Sequence, residues 1–361
     1  MPALAVADAL RARGADVSFI GVRGTGASGV VREAGYREDA IPLRGFARTL
    51  TIRNLWTVWL AALATPRAAG LLVRRHADVV VGGGGYVAGP AALAAKLTRR
   101  PLLLMEADSH LGMANRMAAP LATRVALAFP LAGRQGGRYM VTGRPVGREV
   151  LDATKTTGRR AFGILQSATV VLVVGGSQGA RTLNEAAVGA FGDAPMEIIH
   201  VAGPSQLEET RRLLGDRAGE RYRLFGWLDN LPEAVAAADL VVSRSGGSVF
   251  ELAAIGRPSI LVPYPHATAD HQAKNAKWLS DAGAAVVVPD ADLNAETLRG
   301  LVGALLSDPH RLEAMAEAAR SVGRPEAADR VADEVLAIAR GGRGRRRRRI
   351  PRPRMPWRKR R

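Results

Sequence analysis

The sequence predicts an α/β protein built as two Rossmann-like domains with a central cleft between them. Three observations carry the prediction. A buried apolar strand, a glycine turn and a helix follow one another three times, near residues 78–90, 169–191 and 240–255, and this is the unit from which doubly wound sheets are made. The length of 361 residues exceeds one typical core. The segment GRPVGREV at 143–150, with Pro145, reads as a crossing between two stretches that repeat the same rhythm.

Composition narrows the classes. Hydrophobic residues make up 47% of the chain, ample for both cores. With no Cys, disulfides and thiolate metal sites are excluded and a reducing compartment is the simpler reading. The opening MPALAVADALRARG reads as an amphipathic helix, not a secretory signal. The longest apolar run, around Leu55–Ala64, is too short to span a bilayer. Of the net charge of +18, residues 341–361 supply twelve Lys or Arg and no acid, leaving +6 elsewhere. Rich in Gly, Pro and like charge, this tail is expected to be disordered. It suits anionic lipid or nucleic acid, or is a solvated extension.

In the first half, residues 3–13 read as a helix, Val17–Gly21 as a strand and Asp39–Pro42 as another. A doubly wound domain ordinarily places a strand and phosphate loop ahead of its first helix, and none precedes this one. The stretch from Leu55 carries Trp56 and Trp59 and ends in Arg74, Arg75 and His76, so it is either a helix lying on an anionic membrane or a core-facing one. Asp78–Val81 is a strand, Gly82–Gly85 a turn, and Tyr86, Gly89 and Pro90 head a helix. Four adjacent glycines are entropically costly, so a ligand or another backbone approaches closely there. Residues 101–105 form a strand ending in Glu106, Ala107, Asp108, Ser109 and His110. Strand C-termini are where open α/β sheets bind ligands, so Glu106, Asp108 and His110 are candidate acid–base groups, with a helix N-cap at Asp108 as the alternative. Strands at Val125–Phe129 and Tyr139–Thr142 close this half.

The second half restarts with strand Thr169–Val174, the turn Gly175–Gly179 and helix Ala180–Phe191, followed by strands Glu197–Val201 and Tyr222–Phe225. Leu240–Ser243 is a strand, Ser245–Ser248 a glycine turn, and Val249–Ile255 a helix with Glu251 just inside it. Free N–H groups and the dipole at such a turn suit a phosphate, and a carboxylate one turn on suits a ribose diol. Asp270, His271 and Gln272 add polar groups of the kind a sugar needs, so the sketch is a nucleotide-sugar site. The alternative is a plain βαβ unit in which Glu251 only favours the helix start. Strands Ser259–Val262 and Ala285–Val288 and helices at 295–306 and 309–339 complete the chain.

The motifs GGGGYVAGP (82–90), VVGGSQGARTLN (173–184), RSGGSVFEL (244–252) and PYPHATADHQAKNA (263–276) resemble those of the MurG family. That family transfers N-acetylglucosamine from UDP-N-acetylglucosamine to lipid-linked N-acetylmuramyl-pentapeptide. The resemblance implies the glycosyltransferase B fold: residues 1–145 facing acceptor and membrane, 146–322 binding the donor, 323–340 a helix packing back on the first domain, and 341–361 the tail. It implies that Ser177, Gln178 and Gly179 meet the UDP phosphates, that Leu228 lies near the uracil, and that Glu251 takes the ribose hydroxyls. Gln272 would read the sugar hydroxyls, and Arg244, Gly246, Gly247 and Ser248 would complete the donor site. Gly83, Gly84, Gly85, Tyr86 and Asp108 would face the acceptor. The implied chemistry inverts C1 without a metal or cofactor, on the cytoplasmic face of the membrane as a peripheral protein; its partner is an anionic lipid surface, not nucleic acid.

Departures from the pattern shape the expectations. The family opens with a strand and a GGTGGH loop, whose His competes for the role of base; the expectation is a start upstream of Met1, against an inactive donor-binding remnant. The family has Arg where this chain has Gly147, with Arg148 one place along as a substitute, and commonly Asn where this chain has Asp108. Another glycosyltransferase of the same fold acting on a different lipid, such as a diacylglycerol, is the remaining alternative.

Overall fold

The computed structural model describes residues 2–22, 26–41, 43, 52–85 and 87–347. The chain divides into two compact units, one comprising Pro2–Thr142 and the chain from Ala328, the other Gly143–Ala327.

The first unit carries strands β1 (Ser18–Val22), β2 (Arg37–Ile41), β3 (Val80–Gly82), β4 (Leu102–Glu106), β5 (Arg124–Leu127) and β6 (Tyr139–Val141). All pair in parallel, β1 with β2 as one sheet and β3-β4-β5-β6 as another. Parallel strands are covered on both faces, and side chains alternate along each strand. Accordingly Leu103 and Met105 of β4 pack with Val6 and Leu10 of helix Pro2–Ala12. Leu102 and Leu104 pack on the other face with Ala68 and Leu72 of helix Ile52–Arg74 and with Ala91 and Ala95 of helix Ala88–Leu97. Ala64, Ala68 and Leu72 of helix Ile52–Arg74 thus face the core while Arg67 and Val73 are exposed, and Arg74 and Arg75 both pair with Asp39, at 3.2 and 2.7 Å. The side chains of Trp56 and Trp59 lie outside the described residues, as do Tyr86 and Pro42.

Helix Ala327–Arg347 returns to this unit. Val331, Ala332 and Val335 bury against the face that holds Val6 and Leu103, and Glu334 pairs with Arg124 of β5 at 2.6 Å. The helix continues through 341–347, where the composition led us to expect disorder. Each Gly costs roughly 1 kcal/mol in a helix, but Arg is a good helix former and cations favour the C-terminal dipole. Residues 348–361 lie outside the described residues.

The second unit carries β7 (Val170–Val174), β8 (Glu197–Val201), β9 (Tyr222–Phe225), β10 (Leu240–Ser243), β11 (Ser259–Leu261) and β12 (Ala285–Val287). They form one parallel sheet in the order β12-β11-β10-β7-β8-β9. Strand order therefore reverses between β7 and β10, the point at which doubly wound sheets bind ligands. Val171 and Val173 of β7 pack with Leu183, Ala187 and Phe191 of helix Arg181–Phe191.

Asp239 locks the opposite end of the sheet. Its Oδ2 accepts from Arg159 Nη2 and from the Val170 N–H, both at 2.8 Å, and Lys155 Nζ reaches Oδ1 at 2.6 Å. Arg159, fully buried, also donates to the carbonyls of Ala237 and Gln166. Removing the anion strands a buried guanidinium, so Asp239→Ala is expected to destabilise this unit by about 3–5 kcal/mol. Denaturant unfolding followed through Trp227 and Trp278, with Trp56, Trp59 and Trp357 replaced by Phe, measures it; a loss below 1 kcal/mol would show that the pair is not a stabilising lock.

Candidate functional site

Strands β7 and β10 run side by side with Val174 level with Ser243, so both end together and open into adjacent glycine turns. The N–H of Arg244 still donates to Val174 O at 3.3 Å, and beyond it the backbones diverge as Gly175–Gly179 and Ser245–Ser248. Helix Arg181–Phe191 starts after Ala180 and helix Ser248–Ile255 after Gly247, each without a side-chain cap. Their first-turn N–H groups and positive dipole ends thus face the switch point and suit an anion. Ser177 and Gln178 stand exposed on the first turn.

The first turn rests on the loop after β8. Gly179 has φ +75°, and a Cβ there would lie 2.6 Å from Ala202 O and 2.7 Å from Gln206 Cγ, so only glycine fits. Ser205 Oγ donates to Gln178 O at 3.2 Å, and the Gly175 N–H donates to Val201 O at 3.3 Å. Below them Asn184 Nδ2 donates to Ala202 O at 3.1 Å, which leaves Asn184 Oδ1 to accept from His200 Nε2 at 3.0 Å. His200 Nδ1 must then accept from Tyr222 Oη, 2.7 Å away. Burial pushes His200 down to about 3 and raises the Tyr222 hydroxyl, so the ring is a neutral link in a directed chain. The sequence reading missed His200, Asn184 and Tyr222; an isolated His within an apolar strand gives no functional signal.

The second turn is tied by side chains further along. Asn275 Nδ2 donates to the carbonyls of Ser245 and Gly246 at 3.0 and 3.3 Å, and Ser245 Oγ donates to Gln272 O at 2.8 Å. Gln272 Oε1 accepts from the Tyr264 N–H at 3.0 Å. Ala269 and Asp270 ahead of it both hold φ 54°, a strained conformation for residues with a Cβ. Glu251 is half-buried in the first turn of its helix; burial raises its pKa and Arg144 pulls it back down. Leu228 is half-buried beyond β9, and Arg148 is exposed at the start of helix Arg148–Asp152. Arg244, expected to complete the donor site, is held by contacts within the protein. It is 8% exposed, pairs with Asp290 at 2.5 Å and donates to Val262 O and Pro263 O, so its charge is consumed inside the protein.

In the first unit Gly83, Gly84 and Gly85 follow β3 directly, and the loop after β4 holds the acid–base candidates. Glu106, 6% exposed, accepts from the N–H groups of Asp108 and Gly112 at 3.2 and 2.9 Å and from Asn115 Nδ2 at 2.9 Å. Three donors on one buried carboxylate make it the clamp of its loop. Asp108 is not a helix cap either, since helix Met113–Ala118 begins after Gly112. Asp108 and His110 are half-buried, and His110 Nδ1 is enclosed with no hydrogen-bond partner among the described residues. Among the described residues no group of three or more His, Asp or Glu could hold a metal ion.

A doubly wound unit with two uncapped glycine turns at its switch point belongs to the nucleotide-binding α/β class, and the comparisons specify which. Residues 1–127 match the glycosyltransferase family 28 N-terminal domain and residues 170–331 the glycosyltransferase family 28 C-terminal domain. The chain is 41% identical over 344 residues to the UDP-N-acetylglucosamine--N-acetylmuramyl-(pentapeptide) pyrophosphoryl-undecaprenol N-acetylglucosamine transferase of Halorhodospira halophila, covering 94% of this chain and 95% of that one. The transferase of that name from Rubrobacter xylanophilus is 38% identical over 344 residues, 94% of this chain and all of its own. The crystal structure of Acinetobacter baumannii MurG superposes with a TM-score of 0.72 at 29% identity, covering 93% of this chain and 95% of that one. The chain belongs to the MurG family of glycosyltransferase family 28, with the glycosyltransferase B fold, as its motifs led us to expect.

The buried imidazole makes a measurable prediction. An unfolded chain protonates His200 below its ordinary 6.5, whereas the folded one resists until about 3. Its share of stability is complete above that ordinary value and falls as pH drops towards 3, by about 1.4 kcal/mol per pH unit. The gap in unfolding free energy between wild type and His200→Gln should therefore narrow at that rate from about pH 6 downwards; a gap constant with pH would show that His200 titrates normally.

Proposed function

We propose that this chain transfers N-acetylglucosamine from UDP-N-acetylglucosamine to N-acetylmuramyl-pentapeptide carried on pyrophosphoryl-undecaprenol. The observation that carries this reading is the pair of uncapped glycine turns at the β7/β10 switch point, in a chain 41% identical to a transferase named for that reaction. The alternative acceptors considered from sequence have no observation in their favour.

In this reading the diphosphate lies against the backbone N–H groups of Ser177 and Gln178 and of Gly246–Ser248, with Gly179, whose own N–H donates to Gly176 O, shaping the turn; Glu251 accepts from the ribose hydroxyls, and the uracil meets the backbone near Leu228. Gln272, whose Oε1 already accepts from Tyr264 N–H, offers its amide N–H groups to the sugar hydroxyls. An acceptor hydroxyl forms a bond to C1 as the C1–O bond to the diphosphate breaks; the electron pair leaves with UDP, the proton passes to a base, and C1 inverts. The charge that builds on the leaving diphosphate meets preorganised N–H dipoles, so the step proceeds without a metal. Glu106, Asp108 and His110 are the bases this chain offers, and Asp108 and His110 are favoured because Glu106 already accepts three hydrogen bonds.

Among the described residues no helix is long and apolar enough to cross a membrane. An acceptor held in lipid places the protein peripherally on the cytoplasmic face, drawn by its cationic tail to an anionic surface.

Transfer from UDP-N-acetylglucosamine to the lipid-linked acceptor tests the reading. Glu251→Ala is expected to raise KM for the donor by about 10- to 100-fold, the loss of a buried hydrogen-bonding anion. Substituting the base, by Asp108→Asn or His110→Gln, should lower kcat about 10²- to 10⁴-fold with donor KM little changed. No transfer by the wild-type chain, or an unchanged donor KM in Glu251→Ala, would sink it.

A further inference from the structure

The two glycine turns part company after Val174 and Arg244, so the sheet alone does not set the distance between them. Asp290 joins the segments that carry them. It stands on the loop after β12, separated from β10 by β11, in the helical turn Asp290–Asp292. Val288 and Leu293 on either side are buried in the core of this unit, so the loop is pinned at both ends. Asp290 Oδ1 accepts from Arg244 Nη1 at 2.5 Å, and Arg244 is the residue that links β10 to the second turn. Asp290 Oδ2 accepts from Thr182 Oγ1 at 3.3 Å, and Thr182 is the second residue of helix Arg181–Phe191, which follows the first turn. With side-chain exposures of 10% for Arg244 and 19% for Asp290, the pair is largely shielded from water. Arg244 also donates to Val262 O and Pro263 O, and its Cζ lies 5.7 Å from the ring centroid of Tyr264, whose N–H donates to Gln272 Oε1.

We propose that Asp290 is a positioning residue of the donor site, which fixes the spacing of the two turns that grip the nucleotide diphosphate. Two phosphates joined by one oxygen span a set distance. Backbone N–H groups from two separate turns act on them as preorganised dipoles only while both turns keep that distance. A carboxylate suits the task because its two oxygens accept from two segments at once, and bonds to an ionised acceptor are stronger than neutral ones. Left unpaired, an anion here would repel the diphosphate; Arg244 neutralises it, so the positive helix ends still dominate the field at the turns. Asp290 therefore acts through Thr182 and Arg244 and touches no ligand itself.

This role rests on the donor-site reading above. Calorimetry of the full chain with UDP and with uridine tests it, because uridine lacks the diphosphate that needs both turns. Thr182→Val keeps the side-chain shape and the Arg244–Asp290 pair but removes the hydroxyl. It is expected to weaken UDP about 3- to 10-fold and leave uridine within about twofold, with Thr182→Ser restoring UDP binding. Asp290→Asn, which removes the charge opposite Arg244, should weaken UDP about 10- to 100-fold with the same sparing of uridine. UDP affinity within twofold of wild type in Thr182→Val would overturn the role, even if Asp290→Asn failed to fold. Equal losses for UDP and uridine would overturn it too, by marking a general loss of structure, as would a loss in Thr182→Val that Thr182→Ser did not restore. A wild-type chain that bound UDP no more tightly than uridine would instead defeat the donor-site reading itself, and the role of Asp290 with it.

Discussion

The site depends on two backbones that touch without side chains between them. A Cβ on Gly203 would lie 2.5 Å from Gly179 Cα, and one on Gly179 would lie 2.6 Å from Ala202 O. This approach brings the loop after β8 under the loop after β7, and the Asn184–His200–Tyr222 chain holds it from beneath. Each link is a buried polar group whose unpaired form costs about 1–3 kcal/mol, so the chain tolerates few alternative geometries. The first glycine turn inherits its position from that support, with the Gly175 and Gly179 N–H groups donating to Val201 O and Gly176 O.

A similar division of labour recurs. Asn275 and Ser245 hold the second turn through carbonyls and hydroxyls, leaving the first N–H groups of helix Ser248–Ile255 without a side-chain cap. Glu106 and Asn115 do the same for the loop after β4, where Asn115 Nδ2 also donates to Met105 O at 2.9 Å. Buried amides and one carboxylate shape the loops, and the exposed groups of those loops remain for ligands. Preorganisation of this kind lets dipoles stabilise developing charge without reorganising at the moment of reaction.

Much of this was legible from the chain. Strands buried on both faces appear as unbroken apolar runs, so Val170–Val174 and Leu102–Met105 could be read directly, and each glycine turn marked a strand's end. Glu251 was read as a ribose contact, with the favourable charge at a helix start as its structural alternative. What escaped depends on distance in sequence. The pairing of Arg244 with Asp290, 46 residues on, is announced by nothing local. Glu106 was read as a candidate base without sight of its loop, because two of its three donors, the N–H groups of Asp108 and Gly112, are backbone and carry no residue identity. Composition misjudged residues 341–347 because it ignores a helix already nucleated at Ala327.

The central claim is that the nucleotide diphosphate binds across the two glycine turns where strand order reverses. A crystal structure of the full chain with UDP-N-acetylglucosamine tests it most directly. The expected result has phosphate oxygens within about 3 Å of backbone N–H groups from both the 175–179 and the 245–248 turns, with the ribose at Glu251. A nucleotide bound with its phosphates away from either turn would contradict it.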